Sequence, residues 1–136
     1  MTTIACNCGK VKVELTGDPI AQAYCHCGDC QKVHSAAYIG VAMFPIAQTK
    51  IVAGEPMMWK LARTPRATCR DCGTRMWAEP VGLGLRGVLS TLLPPGAFAP
   101  AFHINCADAV IPLKDDLPHF KGFPAAFGGQ DDKVDW

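Results

Sequence analysis

The sequence predicts a mostly β fold, a folded-over antiparallel sheet or sandwich packed as a single domain. Three observations point there. Thirteen Gly and eleven Pro are scattered between short β-rich runs, and no apolar period of 3.6 residues is sustained beyond two turns. The run KVKVELTG, residues 10–17, alternates Val11, Val13 and Leu15 with Lys10, Lys12 and Glu14 before a closing Gly, the pattern of a strand with one buried and one wet face. Further strands are expected over Ile20–Tyr24, Ala37–Phe44, Lys50–Val52, Met57–Leu61, Arg75–Glu79, Arg86–Leu92 and Phe102–Cys106, each bounded by Gly, Pro or a cysteine turn. One helical turn or two is expected after Cys27, through GDCQKVHS, with Asp29 favouring its start. From about Lys114 the chain turns to Pro, Gly and paired Asp, leaving Phe120, Phe123 and Phe127 to pack. The domain is therefore expected over 1–127, with a frayed tail over 128–136.

At 136 residues, nearly half of them hydrophobic, the chain can bury a core of its own. Thirteen Lys and Arg against twelve Asp and Glu leave a formal charge of +1, which argues against nucleic acid or an anionic membrane as partner. The opening MTTIACNCGKVKVELTG lacks the layout of a secretory signal, and the longest apolar run, AAYIGVAMFPIA, is too short to span a bilayer. A cytoplasmic location is expected, and with it reduced thiols. Eight cysteines then point to metal or catalysis before disulfides.

Cys6 and Cys8 in CNCGK and Cys69 and Cys72 in CRDCGT supply four thiolates, enough for one tetrahedral structural zinc. Residues i and i+2 on an extended segment face the same way, and a tight turn lets Cys69 and Cys72 clasp the same ion. Gly9 and Gly73 follow the second cysteine of each pair and permit the positive φ such turns use. A disulfide between i and i+2 would be strained.

The stretch YCHCGDCQKVH places Cys25, Cys27 and Cys30 so that local geometry can aim three thiolates at one point. Catalytic zinc sites hold three protein ligands and leave the fourth position to water or substrate. Three other readings stay open: His34 closes a second structural site, Cys27 and Cys30 form a redox couple, or the site holds no metal. His26 is the poorer ligand, since on an extended segment it points away from its cysteine neighbours. Three thiolates on a dication leave a charge of −1, so the ion polarises water weakly and suits the capture of a thiol as nucleophile for a small electrophile.

Taken in order, CNCG, CHCGDC, CRDCGT and PAFHI resemble the motifs of the glutathione-dependent formaldehyde-activating enzyme family across residues 6 to 104. The resemblance implies a β-tent of antiparallel sheets. It also implies a structural zinc on Cys6, Cys8, Cys69 and Cys72, and a catalytic zinc on Cys25, Cys27 and Cys30, two ions per chain. The activity it implies is a carbon-sulfur lyase reaction in reverse, condensation of glutathione with formaldehyde to S-hydroxymethylglutathione. Two departures stand out: GVLSTL puts Ser90 where the family's Asp aligns, and His34 occupies a position usually small or hydroxylic.

The leading expectation is thus a zinc enzyme joining a thiol such as glutathione to an aldehyde. The alternative is a non-catalytic zinc-stabilised β-domain that binds a protein or small ligand, with His34 completing the second site. Edge strands leave homodimer formation open without specifying it. Lys32, Arg63, Arg66, Arg70 and Arg75 are cations near the clusters and read as solvated unless they bind an anionic thiol. His103 reads as a hydrogen-bonded core histidine ahead of a proton shuttle, Cys106 as a small buried hydrophobe, and Trp59, Trp77, Met57 and Met58 as packing. Asp108, Asp115 and Asp116 read as solvated.

Overall fold

The computed structural model describes all residues, Met1–Trp136. The chain is mostly β and its sheets are open. Packing divides it into two compact units, Met1–Ala21 with Ala42–Phe98, and Gln22–Val41 with Ala99–Trp136.

In the first unit, β1 (Thr2–Ala5), β2 (Lys12–Leu15) and β5 (Thr49–Ala53) form a three-stranded antiparallel sheet. The alternation expected of residues 10–17 appears as β2, with Val13 and Leu15 buried. The end of β4 (Ile39–Pro45) leads into a second run in the order β4-β9-β8-β7-β6, where β6 is Met57–Leu61, β7 Thr64–Thr68, β8 Arg75–Ala78 and β9 Leu85–Leu89. Strands β6 to β9 pair antiparallel in sequence order.

Two of these strands carried too little signal to be expected. β1 is only TTIA, and β7 contains Pro65, a residue that argues against a strand. Pro65 keeps its ladder contribution through its carbonyl, which accepts from Glu79 N at 2.8 Å.

The core of this unit joins Ile4, Val11, Val13, Leu15, Phe44, Met76, Trp77 and Val88 with Cys6 and Cys69. Trp77 is held at its indole nitrogen and over its ring face. Its Nε1 donates to Glu79 Oε1 at 3.1 Å, and the Arg86 guanidinium lies 4.6 Å from the ring centroid.

Gly54 leaves β5 at φ +73°, and a Cβ there would collide with the Lys10 carbonyl. Gly54→Ala is expected to destabilise this unit by more than about 1 kcal/mol, since the left-handed penalty alone is of that order. Denaturant unfolding checks it, and an unchanged midpoint would contradict the packing described.

In the second unit, β3 (Ala21–Cys25) pairs with β10 (Phe102–Ile104) in parallel, matching Ala23 to Phe102, Tyr24 to His103 and Cys25 to Ile104. The helix α1 (Gly28–His34) follows β3 directly. β10 ends before Asn105, which takes the left-handed conformation at φ 55° and turns the chain into a 3-10 turn over Cys106–Asp108. The segment after Leu117 returns along β10: His103 N donates to Pro118 O at 2.8 Å, and Phe120 N to His103 O at 3.0 Å. Val134 N in turn donates to His119 O at 2.9 Å. No helix is long and apolar enough to cross a membrane.

Candidate metal centres

The first unit brings Cys6, Cys8, Cys69 and Cys72 together, all four Sγ within 4.8 Å of one another. Two backbone turns, one closed between residues three apart and the other between residues four apart, build the cluster. Gly9 N donates to Cys6 O at 2.9 Å and Gly73 N to Cys69 O at 3.0 Å, with φ of +78° and +75° at the two glycines. The expected role of Gly9 and Gly73 is therefore present. The expected extended Cys6–Cys8 segment is not: β1 stops at Ala5, and a turn presents a buried Cys6 beside an exposed Cys8.

Sulfurs about 2.3 Å from a zinc ion at tetrahedral angles stand about 3.8 Å apart. Cys6 and Cys8 Sγ are separated by 3.5 Å, and Cys8 and Cys69 Sγ by 3.8 Å. The donor set and its spacing fit such an ion. Backbone and hydroxyl groups complete the surroundings, with Val11 N 3.3 Å from Cys6 Sγ and Thr74 Oγ1 3.1 Å from Cys72 Sγ. The Thr74 hydroxyl, then the Thr74 backbone, draw the Cys72 thiol down to about 5. Thr74 Oγ1 also accepts from Asn7 N at 3.0 Å, tying the two turns together.

The second unit brings Cys25, Cys27 and Cys30 together, again within 4.8 Å. Each comes from a different local position. Cys25 ends β3, Cys27 is the N-cap of α1, and Cys30 is the buried residue of its first turn. Cys27 Sγ accepts from Cys30 N at 3.2 Å, a thiol in the role usually filled by Ser or Asp. Cys25 and Cys30 Sγ are 3.7 Å apart, which also fits a tetrahedral edge. Ile39, Phe102, Ile104 and Phe123 pack around the cluster.

Crowding disfavours loss of the protons from these thiols when no cation is there to offset it. Cys25 is pushed up to about 11, first by Cys27, and Cys30 is raised by Cys25 and then Cys27. A dication relieves that repulsion, so binding releases protons and strengthens as pH rises. His34 ends α1 one turn beyond Cys30 and is not among the converging donors.

Sequence reasoning passed over Asn105. Its Nδ2 donates to Cys25 Sγ at 3.5 Å, from the left-handed backbone that ends β10. The only sequence signal was an Asn directly after a short strand, a residue that tolerates this conformation. Asn105→Gly keeps the backbone unstrained and removes the amide. It is expected to lower affinity for an ion at Cys25, Cys27 and Cys30 by about 10- to 100-fold, measured by competition with a chelator; equal affinity would mark the contact as incidental.

Asp115 is exposed, as expected, but is also engaged: its oxygens accept from His103 Nε2 at 2.8 Å, His119 Nε2 at 3.1 Å and Leu117 N at 3.0 Å. His103 is fully buried, as a core histidine should be, with His26 Nε2 2.9 Å from its Nδ1. Cys106 is buried too, and burial first, then Cys25 and Asp115, push its thiol up to about 12. Arg66 is buried in β7 and so is not a free surface cation, while Arg75 Nη1 spans 2.6 Å to Gly73 O and braces the second turn of the outer cluster. Of the cations singled out, Lys32 alone shares a packing unit with Cys25, Cys27 and Cys30.

Two convergent cysteine clusters on an open, mostly β scaffold define a protein equipped to bind metal through thiolates. The chain belongs to the glutathione-dependent formaldehyde-activating enzyme family, whose model matches residues 1–108. A crystal structure of a Rhodobacter sphaeroides protein shares the fold with a TM-score of 0.58 at 19% identity, over 69% of this chain and 89% of that one. No curated protein matches the chain. The family is one of enzymes and attaches glutathione- and formaldehyde-related chemistry to the fold.

Proposed function

We propose that this chain is a carbon-sulfur lyase-type enzyme that adds a thiol to a small aldehyde, with glutathione and formaldehyde as the pair its family name indicates. One C–S bond forms, the carbonyl π bond is lost, and the thiol proton ends on the new hydroxyl. The observation that carries the reading is the set of three converging donors, Cys25, Cys27 and Cys30.

Zinc bound by these three residues would supply a Lewis acid that keeps an incoming thiol deprotonated at neutral pH. The chain's own groups do the rest. The N–H of Cys30 holds Cys27 Sγ in place, and Asn105 Nδ2 orients Cys25 Sγ. Phe102, Phe123 and Ile39 pack against the donors and would limit water there. Zinc at Cys6, Cys8, Cys69 and Cys72 would be the second ion, a closed site with a structural role. A reducing cytoplasm would keep the eight cysteines available as thiolate donors.

The test is formation of S-hydroxymethylglutathione from glutathione and formaldehyde, followed by NMR against the spontaneous rate. Acceleration by the zinc-loaded protein is expected. A rate equal to the protein-free control would sink the assignment and favour a non-catalytic zinc-stabilised binding domain.

A further inference from the structure

A second set of metal-capable side chains lies in the Gln22–Val41 and Ala99–Trp136 unit, outside the cysteines: His103, Asp115 and His119. Both imidazoles turn the same nitrogen, Nε2, toward one carboxylate, at 2.8 Å from Asp115 Oδ2 and 3.1 Å from Asp115 Oδ1. Backbone pairing fixes the approach, because His103 and His119 face each other across a parallel bridge with ring centroids 4.4 Å apart.

Hydrogen bonding alone leaves this cluster short of donors. The single Nε2–H of His119 faces two acceptors at once, Asp115 Oδ1 and the Leu113 carbonyl at 2.9 Å. Two carboxylate oxygens, a carbonyl and two imidazoles therefore converge with few protons to share. An excess of lone pairs around one point is what a cation neutralises. Ligand atoms about 2.0–2.1 Å from an ion stand about 2.9–3.4 Å apart at octahedral or tetrahedral angles, close to the separations found.

We infer that His103 Nε2, His119 Nε2 and the Asp115 carboxylate form a third metal site, built of nitrogen and oxygen donors, that takes a borderline divalent transition-metal ion. Two imidazoles and one carboxylate suit such ions better than Mg²⁺ or Ca²⁺, which prefer all-oxygen sets.

The surroundings are those a ligand set requires. A ligating histidine donates its other ring N–H to a partner, and His103 Nδ1 has one in His26 Nε2 at 2.9 Å. Leu117 N braces Asp115 Oδ1 at 3.0 Å. The Trp136 ring, 4.7 Å from that of His119, shields one side, while the Asp115 side chain keeps 31% of its surface exposed and gives an ion a way in. An ion here would pin the 113–119 segment to β10, a structural role separate from thiol chemistry.

Cobalt(II) is the probe, because it displaces zinc poorly from thiolates. Full-length protein, its cysteine sites filled with zinc, is dialysed against Co²⁺. One bound equivalent of cobalt is expected, with d–d absorption and no sulfur-to-cobalt charge-transfer band. Asp115→Asn, nearly isosteric, and His119→Asn should each lose that equivalent while retaining the zinc content and circular dichroism of the parent. No cobalt bound by the parent, a charge-transfer band on the bound cobalt, or equal binding by the Asp115 variant would each overturn the inference. None of these readouts involves glutathione or formaldehyde, so the outcome is independent of the proposed activity.

Discussion

Cys69→Ser is expected to remove one zinc equivalent and, with it, cooperative folding of the unit that contains β1, β2 and β5 to β9. Cys69 is 1% exposed and belongs to the same buried cluster as Val13, Met76 and Trp77, so its Sγ anchors the donor set from inside the core. Structural zinc contributes about 10–16 kcal/mol in small domains, as much as or more than the about 5–15 kcal/mol net stability of a typical domain. A serine hydroxyl neither replaces the thiolate nor fills the space of sulfur. Thermal unfolding with zinc quantitation checks this, and chelator treatment of the parent should reproduce it. Parent-like melting with full zinc content would show that the four cysteines do not act as a staple.

Cys27→Ser should do the opposite: preserve the fold and abolish the activity. Serine is a favoured N-cap, so its Oγ can accept from the Cys30 N–H and α1 should persist. What disappears is one of three donors. Changes in the groups that merely orient metal ligands cost about 10- to 100-fold, and loss of a ligand should exceed the upper end of that range. The expected record is an unchanged circular dichroism spectrum, one zinc equivalent fewer, and S-hydroxymethylglutathione formation at the spontaneous rate. Catalysis at the parental rate would remove Cys27 from the mechanism.

Legibility in the sequence followed the range of the interactions. Cys-x-Cys and Cys-x-x-Cys are local patterns, so the two clusters could be sorted before any fold was known, and the glycines that close the outer turns could be named with them. The alternation of β2 was equally local. β7 was hidden because Pro65 argues against a strand, and only pairing with β6 and β8 overrides it. Asp115 looked like one more surface acid in a polar stretch; its two histidine partners depend on the bridge that returns the chain beside β10. Asn105 was invisible for the same reason, its role set by a contact 80 positions away in sequence.

The cysteine clusters also differ in how soon each can exist. Cys25, Cys27 and Cys30 lie within six consecutive residues, so their donors converge once a single strand end and one helical turn have formed. Cys8 and Cys69 are 61 positions apart, and the outer cluster must wait for a loop of that length to close. On a growing chain Cys6 and Cys8 emerge first, but the inner set is complete once Cys30 is made, whereas the outer set is incomplete until Cys72 is made. Metal supply during synthesis is therefore expected to reach Cys25, Cys27 and Cys30 before the outer four donors are all present.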